Sequence, residues 1–189
     1  MARIPLVDLK SLTPEQQAVC DAIMSDPNRG HVPAPYRLAL HCPEFAGILQ
    51  QMAGLMRFRT SLPRDISQMA IIITARYWTC EMEWAGHAPR AVKAGVPQAA
   101  VDAIRLGQRP VFEQSAQEAA YLYCTELHEN KTVSDATHQR ALECFGVQGV
   151  IELGGIMGYY TTVAMLVKSQ DYVLHPEVTP QLAPLHAKP

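Results

Sequence analysis

The chain has 189 residues, of which 48% are hydrophobic and 18% charged, and a formal net charge of -2. That length and composition suit one domain with a sizeable buried core. The near-neutral charge removes the simplest electrostatic case for nucleic acid or an anionic membrane as partner, and no apolar run approaches the roughly 20 residues that span a bilayer.

The opening MARIPLVDLKSLTPEQ has no apolar h-region and no small-residue cleavage site, so it does not read as a signal peptide. Thr13-Pro14-Glu15-Gln16 predicts a helix start, with Thr13 as cap and Gln16 where a capping box needs Glu or Gln. That helix is expected to stop within Asp26 to Gly30. Pro33, Pro35 and Pro43 then break the chain into short pieces. From Pro43, Phe45, Ile48, Leu49, Met52, Leu55 and Met56 recur at threes and fours and predict one helical face.

Pro63 restarts the pattern, and Ile71-Ile72-Ile73, which invites a strand, lacks alternation and reads as buried helix. A helix is predicted from about Glu81 to Ala94 with Gly95 as its left-handed stop, and a short one from Pro97 to about Leu106. Glu118 to Glu129 follows, then a capped helix from Ser134 to Gly146. Val150 to Val167 is a long, mostly apolar helix expected at the centre of the fold or under another subunit. The fold class is therefore all-α. Residues 1–42 form an N-terminal helical extension, and 170–189 a tail that is proline-rich from Pro176 and expected to dock loosely or stay mobile. Five scattered cysteines, odd in number and never spaced CxxC, fit a reducing cytoplasm.

The stretch TCEMEWAGH, Thr79 to His87, concentrates the chemistry. Glu83 and His87 are four apart and share a helix face, with Cys80 one turn earlier. There a carboxylate can fix an imidazole tautomer and raise its basicity towards working pH. Met82 and Trp84 flank the stripe as possible apolar walls, and Arg76 is a candidate carboxylate anchor in competition with Arg59, Arg64 and Arg90. The same spacing also suits an ordinary solvated pair. Metal binding is a third use, although no HExxH and no doubled Glu-x-x-His occurs, so no metal or other cofactor is expected. Pro89 inside the predicted helix would leave the Ala85 carbonyl without its usual donor.

The run EWAGHAPRAVKAGVP, Glu83 to Pro97, resembles the signature of the carboxymuconolactone decarboxylase-like group within the AhpD-like superfamily. The likeness extends through LPRDISQMAIIITARYW, Leu127-His128, VSDAT and IELGGIMGYYTTVAML. It implies an all-α, AhpD-like single-domain helical bundle over residues 1–189. The peroxidase branch is similar to E-x11-C-x2-C-x3-H. On that pattern Gln68 stands at the relay glutamate, Cys80 at the first thiol, Glu83 at the second thiol and His87 at the histidine, so two of four carriers are missing. The decarboxylase branch keeps Glu-x3-His without the thiols. It implies loss of CO2 from a carboxylated unsaturated lactone, with His87 as proton donor or oxyanion partner, Glu83 orienting it, and Trp84, Arg76 and Gln68 around the substrate.

Other patterns are weaker. Gly154, Gly155 and Gly158 follow no strand, so they read as small residues for helix packing, and Tyr159 and Tyr160 as packing or interface residues. His128 and His138 read as surface or satisfied histidines. Three functions stay open: a decarboxylase-like acid–base enzyme on a small-molecule substrate, a thiol-dependent peroxidase at Cys80, and a non-catalytic helical assembly. A homo-oligomer is expected from the apolar helix after Val150.

Overall fold

The computed structural model describes residues 3–26, 30–172, 179 and 181–185. Among them are eight helices and no strand. Helix α1 (Pro14–Met24) carries the predicted capping box: Thr13 Oγ1 accepts the Gln16 amide at 3.3 Å, and Gln16 Oε1 accepts the Thr13 amide at 3.0 Å. The expected stop falls partly on residues 27–29, outside the described residues. The proline-punctuated stretch gives the short α2 (Ala34–Ala39) and then α3 (Pro43–Phe58), each with proline in its first turn.

Helix α4 (Arg64–Tyr77) is the central element. Every residue from Ile66 to Arg76 is buried, because α5 (Glu81–Ala94), α6 (Gln98–Leu106), α7 (Ser115–Asn130) and α8 (Asp135–Ser169) all pack on it. The isoleucine triplet is thus helical and enclosed on all sides. Gly95 and Gly107 close α5 and α6 with φ of 112° and 69°, conformations that cost glycine nothing.

Helix α8 departs from the two separate helices expected. Its break lies at Gly146, the predicted end, where φ is 65° and ψ 178°, but the second helix begins at once. The merged element is long and apolar enough to cross a membrane, yet half of its most apolar stretch is buried within the fold. Leu153, Ile156, Met157, Tyr160, Val163, Ala164 and Val167 are buried in the predicted register. Of the three glycines read as packing residues, Gly155 serves close packing, since a Cβ there would meet Met56 Cε at 2.9 Å, whereas Gly154 and Gly158 face open space.

Helix α3 corrects a second expectation. Leu49 and Met56 point inward with Ala46 and Ala53, while Phe45, Ile48, Met52, Leu55 and Phe58 are exposed. One predicted face is in fact two. The N-terminal segment is no appendage: α1 packs on α3, and α2 packs on both α3 and α8. Much of the tail, residues 173–178, 180 and 186–189, lies outside the described residues. The segment 181–185 docks through specific contacts rather than loosely.

Candidate active site

The turn from α4 to α5 aims the site. Thr79, at φ 46°, reverses the chain in a left-handed conformation. The Cys80 amide reaches back to the Ala75 carbonyl at 2.8 Å, and the Thr79 amide to the Arg76 carbonyl at 2.9 Å. This is a Schellman closure made with threonine instead of glycine. It starts α5 at Glu81, so that Glu83 and His87 face the interior, only 8% and 5% exposed. Pro89 lies within α5, and the Arg90 guanidinium donates to the Gly86 carbonyl at 2.7 Å.

His87 is held from three sides. Its Nδ1 lies 2.9 Å from Gln68 Oε1, so with an acceptor facing it Nδ1 carries the proton. The lone pair on Nε2 then faces the Tyr160 hydroxyl at 3.3 Å and Glu83 Oε2 at 3.5 Å. The Tyr160 ring meets the imidazole edge-on at 5.1 Å between centroids. Behind it, the Tyr159 and Tyr36 hydroxyls lie 3.0 Å apart.

Burial inverts the expected electrostatics. Glu83 is pushed up to about 7 by loss of water, against the pull of Arg57 and Arg90. His87 is held well below its ordinary value, first by burial and then by Arg57, Arg90 and Arg64. At neutral pH the imidazole is uncharged and the carboxyl is poised between its two forms. The tautomer is fixed by Gln68 rather than by Glu83, and the proton available near pH 7 belongs to Glu83 rather than to His87.

These groups open onto one cavity of about 380 Å³, a size suited to a small organic ligand. Met82, Glu83 and His87 line it from α5, Arg57 from α3, Tyr36 from α2, and Tyr159 and Tyr160 from α8. The other residues named from the sequence lie elsewhere. Cys80 is the N-cap of α5, 1% exposed and absent from the cavity wall. Burial pushes its thiol up to about 11 although the Glu83 and Met82 amides and Lys168 pull it down. Gln68 is buried behind His87 and does not line the cavity. Trp84 lines a separate groove near α6 and donates to Gln181 Oε1 at 3.2 Å. Arg76, buried and donating to the Ala183 carbonyl at 2.8 Å, borders a third cavity with His128 and Tyr121. Neither Trp84 nor Arg76 can touch a ligand bound between Glu83 and His87.

Sequence reasoning missed Arg57, Tyr36, Tyr159 and Tyr160. A signal existed for Tyr160, because a phenol in a buried helical stripe requires a hydrogen-bond partner. His128 is a satisfied histidine, stacked on Tyr77 and 3.0 Å from Thr74 Oγ1. Among the described residues no three His, Cys, Asp or Glu side chains converge as a metal site.

In sequence, no protein-family model and no curated protein matches the chain. Solved structures do match it in shape. A cysteine-to-alanine variant of the debrominase Bmp8, in complex with 2,3,4-tribromopyrrole, superposes with a TM-score of 0.73 at 12% identity, covering 93% of this chain and 95% of that one. Bmp8 without ligand gives 0.72 at 13% identity, over 90% of this chain and 91% of its own. An uncharacterized peroxidase-related protein from Silicibacter sp. TM1040 gives 0.71 at 10% identity, over 93% of each chain. The fold is AhpD-like. At these identities the likeness concerns the AhpD-like architecture, not the reaction.

Proposed function

We propose that this chain is an acid–base enzyme of the decarboxylase-like type, acting on a small carboxylated or lactone substrate. The supporting observation is one cavity in which a carboxyl poised near pH 7 meets a neutral imidazole of fixed tautomer. In the proposed step the bond to the departing CO2 breaks and its electron pair passes into an enolate-like system. The protonated Glu83 delivers its proton to carbon, and the Glu83 carboxylate regains one from solvent. The Tyr160 hydroxyl hydrogen-bonds the developing oxyanion, and neutral His87, with Nε2 as acceptor, relays the returning proton.

A thiol peroxidase is the weaker reading. Cys80 is sealed, its thiol is pushed up to about 11, and Glu83 stands where the peroxidase pattern has its second thiol. Thiolate is therefore scarce at neutral pH. The debrominase neighbour suggests small halogenated rings as further compounds to assay. The deciding experiment screens carboxylated unsaturated lactones for CO2 release, and organic hydroperoxides and bromopyrroles in parallel, with Glu83→Gln, His87→Ala and Cys80→Ser. Lactone turnover lost in the first two and kept in Cys80→Ser supports the proposal. Peroxide turnover lost in Cys80→Ser overturns it.

A further inference from the structure

The cavity is over-supplied with positive charge for its content. Arg57, at the end of α3, and Arg90, in the last half of α5, both line it, and neither reaches a carboxylate within ion-pair distance among the described residues. Among the described residues Arg90, which is exposed, donates to the Gly86 carbonyl, and most of its five-donor fork stays open to solvent or a ligand. The Arg57 guanidinium rests over the Phe58 ring, 5.0 Å from its centroid, a face contact that leaves its in-plane donors unspent. The single acid among the described residues of the wall, Glu83, is poorly able to answer two cations, because burial favours its neutral form.

We infer that Arg57 and Arg90 form an anion clamp that takes the substrate's carboxylate, and that filling the clamp loads the neighbouring acid with a proton. This rests on the acid–base reading above and names the residues that select the substrate class. The coupling follows from linkage. Both guanidiniums act to keep protons off Glu83 and His87, so a bound anion that cancels their field makes protonation easier at both. Glu83 answers first, since it is the group poised near neutrality. The other groups facing the pair are Arg64 from α4, Tyr36 from α2, Tyr159 and Tyr160 from α8, and the cavity-lining His31 and Tyr172. An anionic substrate therefore prepares its own proton donor, whereas a neutral analogue does not.

The test uses 2-furoate, a small planar ring carboxylate, and its uncharged counterpart 2-furamide, titrated by calorimetry into the full chain. Furoate should bind, and Arg57→Gln and Arg90→Gln should each weaken it about tenfold or more, the loss expected for a charged hydrogen-bond pair. Arg57→Lys and Arg90→Lys, which keep the charge, should recover part of the loss and report that the glutamine variants are not merely misfolded. Near pH 7, furoate titrations in buffers of different ionisation enthalpy should reveal proton uptake by the wild-type protein and by His31→Gln, and none by Glu83→Gln. Furamide binding as tight as furoate, unchanged furoate binding in both glutamine variants, or no furoate binding in the millimolar range would overturn the clamp. Binding without proton uptake would overturn the coupling. These titrations need no turnover, so failure of the acid–base reading in His87→Ala would be seen separately.

Discussion

Helix α5 serves two regions that treat polar groups in opposite ways. On one side, Glu81 and Trp84 hold the C-terminal segment. The Glu81 carboxylate accepts the Gln181 amide at 3.0 Å and the Leu182 amide at 2.5 Å, and Trp84 donates to Gln181. Those two side chains have found fixed partners in the chain itself, most of them backbone. On the other side Glu83, His87, Arg57 and Arg90 share a cavity in which neither arginine has an ion-pair partner among the described residues, and the two acid–base groups are strongly displaced from their ordinary behaviour. The difference separates structure from chemistry more clearly than polarity or burial does. Polar groups paired to the tail hold the fold, whereas guanidiniums that face a cavity with no ion-pair partner among the described residues leave it open to an anionic ligand.

The sharpest test of that division compares His87→Ala with Glu81→Gln. Loss of the imidazole should lower turnover about a hundred- to ten-thousand-fold. The tail-side change should leave turnover nearly intact while reducing thermal stability. Equal losses of turnover in the two variants would erase the distinction.

The next effect concerns pH. Glu83 has a folded value of about 7 against an ordinary 4.5, so the folded state binds the extra proton. Stability contributed by that proton is present below about pH 4.5 and is lost as pH rises through 7, by at most about 3 kcal/mol. His87 has the opposite sign, because its depressed folded value destabilises the protein as pH falls below 6.5. Urea unfolding should therefore show Glu83→Gln gaining stability relative to wild type as pH rises from 5 to 8. A constant difference across that range would mean that Glu83 is not desolvated. Proton donation by Glu83 should likewise make turnover fall as pH rises through about 7.

On the tail side, Glu81→Gln exchanges a carboxylate that accepts two amides for a weaker acceptor. It should cost about 1–2 kcal/mol, read as a lower unfolding midpoint in denaturant. Protection of the Gln181 and Leu182 amides from hydrogen exchange should fall with it, and unchanged protection would show that the Glu81 carboxylate is not what holds the segment.

What could be read from the sequence divides along the same line. Helix starts and stops depend on neighbouring residues, so Thr13, Gly95, Gly107 and Gly146 were all legible. The shared face of Glu83 and His87 was legible for the same reason, since four residues make one helical turn. Arg57 and Tyr160 come from other helices, and no local pattern announces that they meet His87. The sign of the pKa changes was not legible either: spacing suggests a carboxylate raising an imidazole, while burial of both favours their neutral forms. The expected oligomer is grounded differently in three dimensions. Most of the apolar positions after Val150 are covered within the chain, whereas α3 exposes Phe45, Ile48, Met52, Leu55 and Phe58 along one stripe. If that stripe is the contact, light scattering should find an oligomer, and Ile48→Glu with Met52→Glu should reduce it to a monomer.

The smallest effect is expected where the two regions meet, at Thr79. Its φ of 46° is unfavourable for a side chain with a branched Cβ, costing about 1 kcal/mol, and glycine would remove that strain. Glycine also makes the unfolded chain more flexible, which offsets about half or more of the gain. Thr79→Gly should thus change stability by less than about 1 kcal/mol, towards stabilisation, as read from the unfolding midpoint. The hydrogen bonds that aim α5 come from backbone groups of Thr79 and Cys80, and Lys168 reaches the Thr79 carbonyl at 3.3 Å. None of these depends on the threonine side chain, so turnover should survive the change. A loss of turnover without a loss of stability would mean that the stiffness of this residue, rather than its hydrogen bonds, keeps Glu83 and His87 pointed into the cavity.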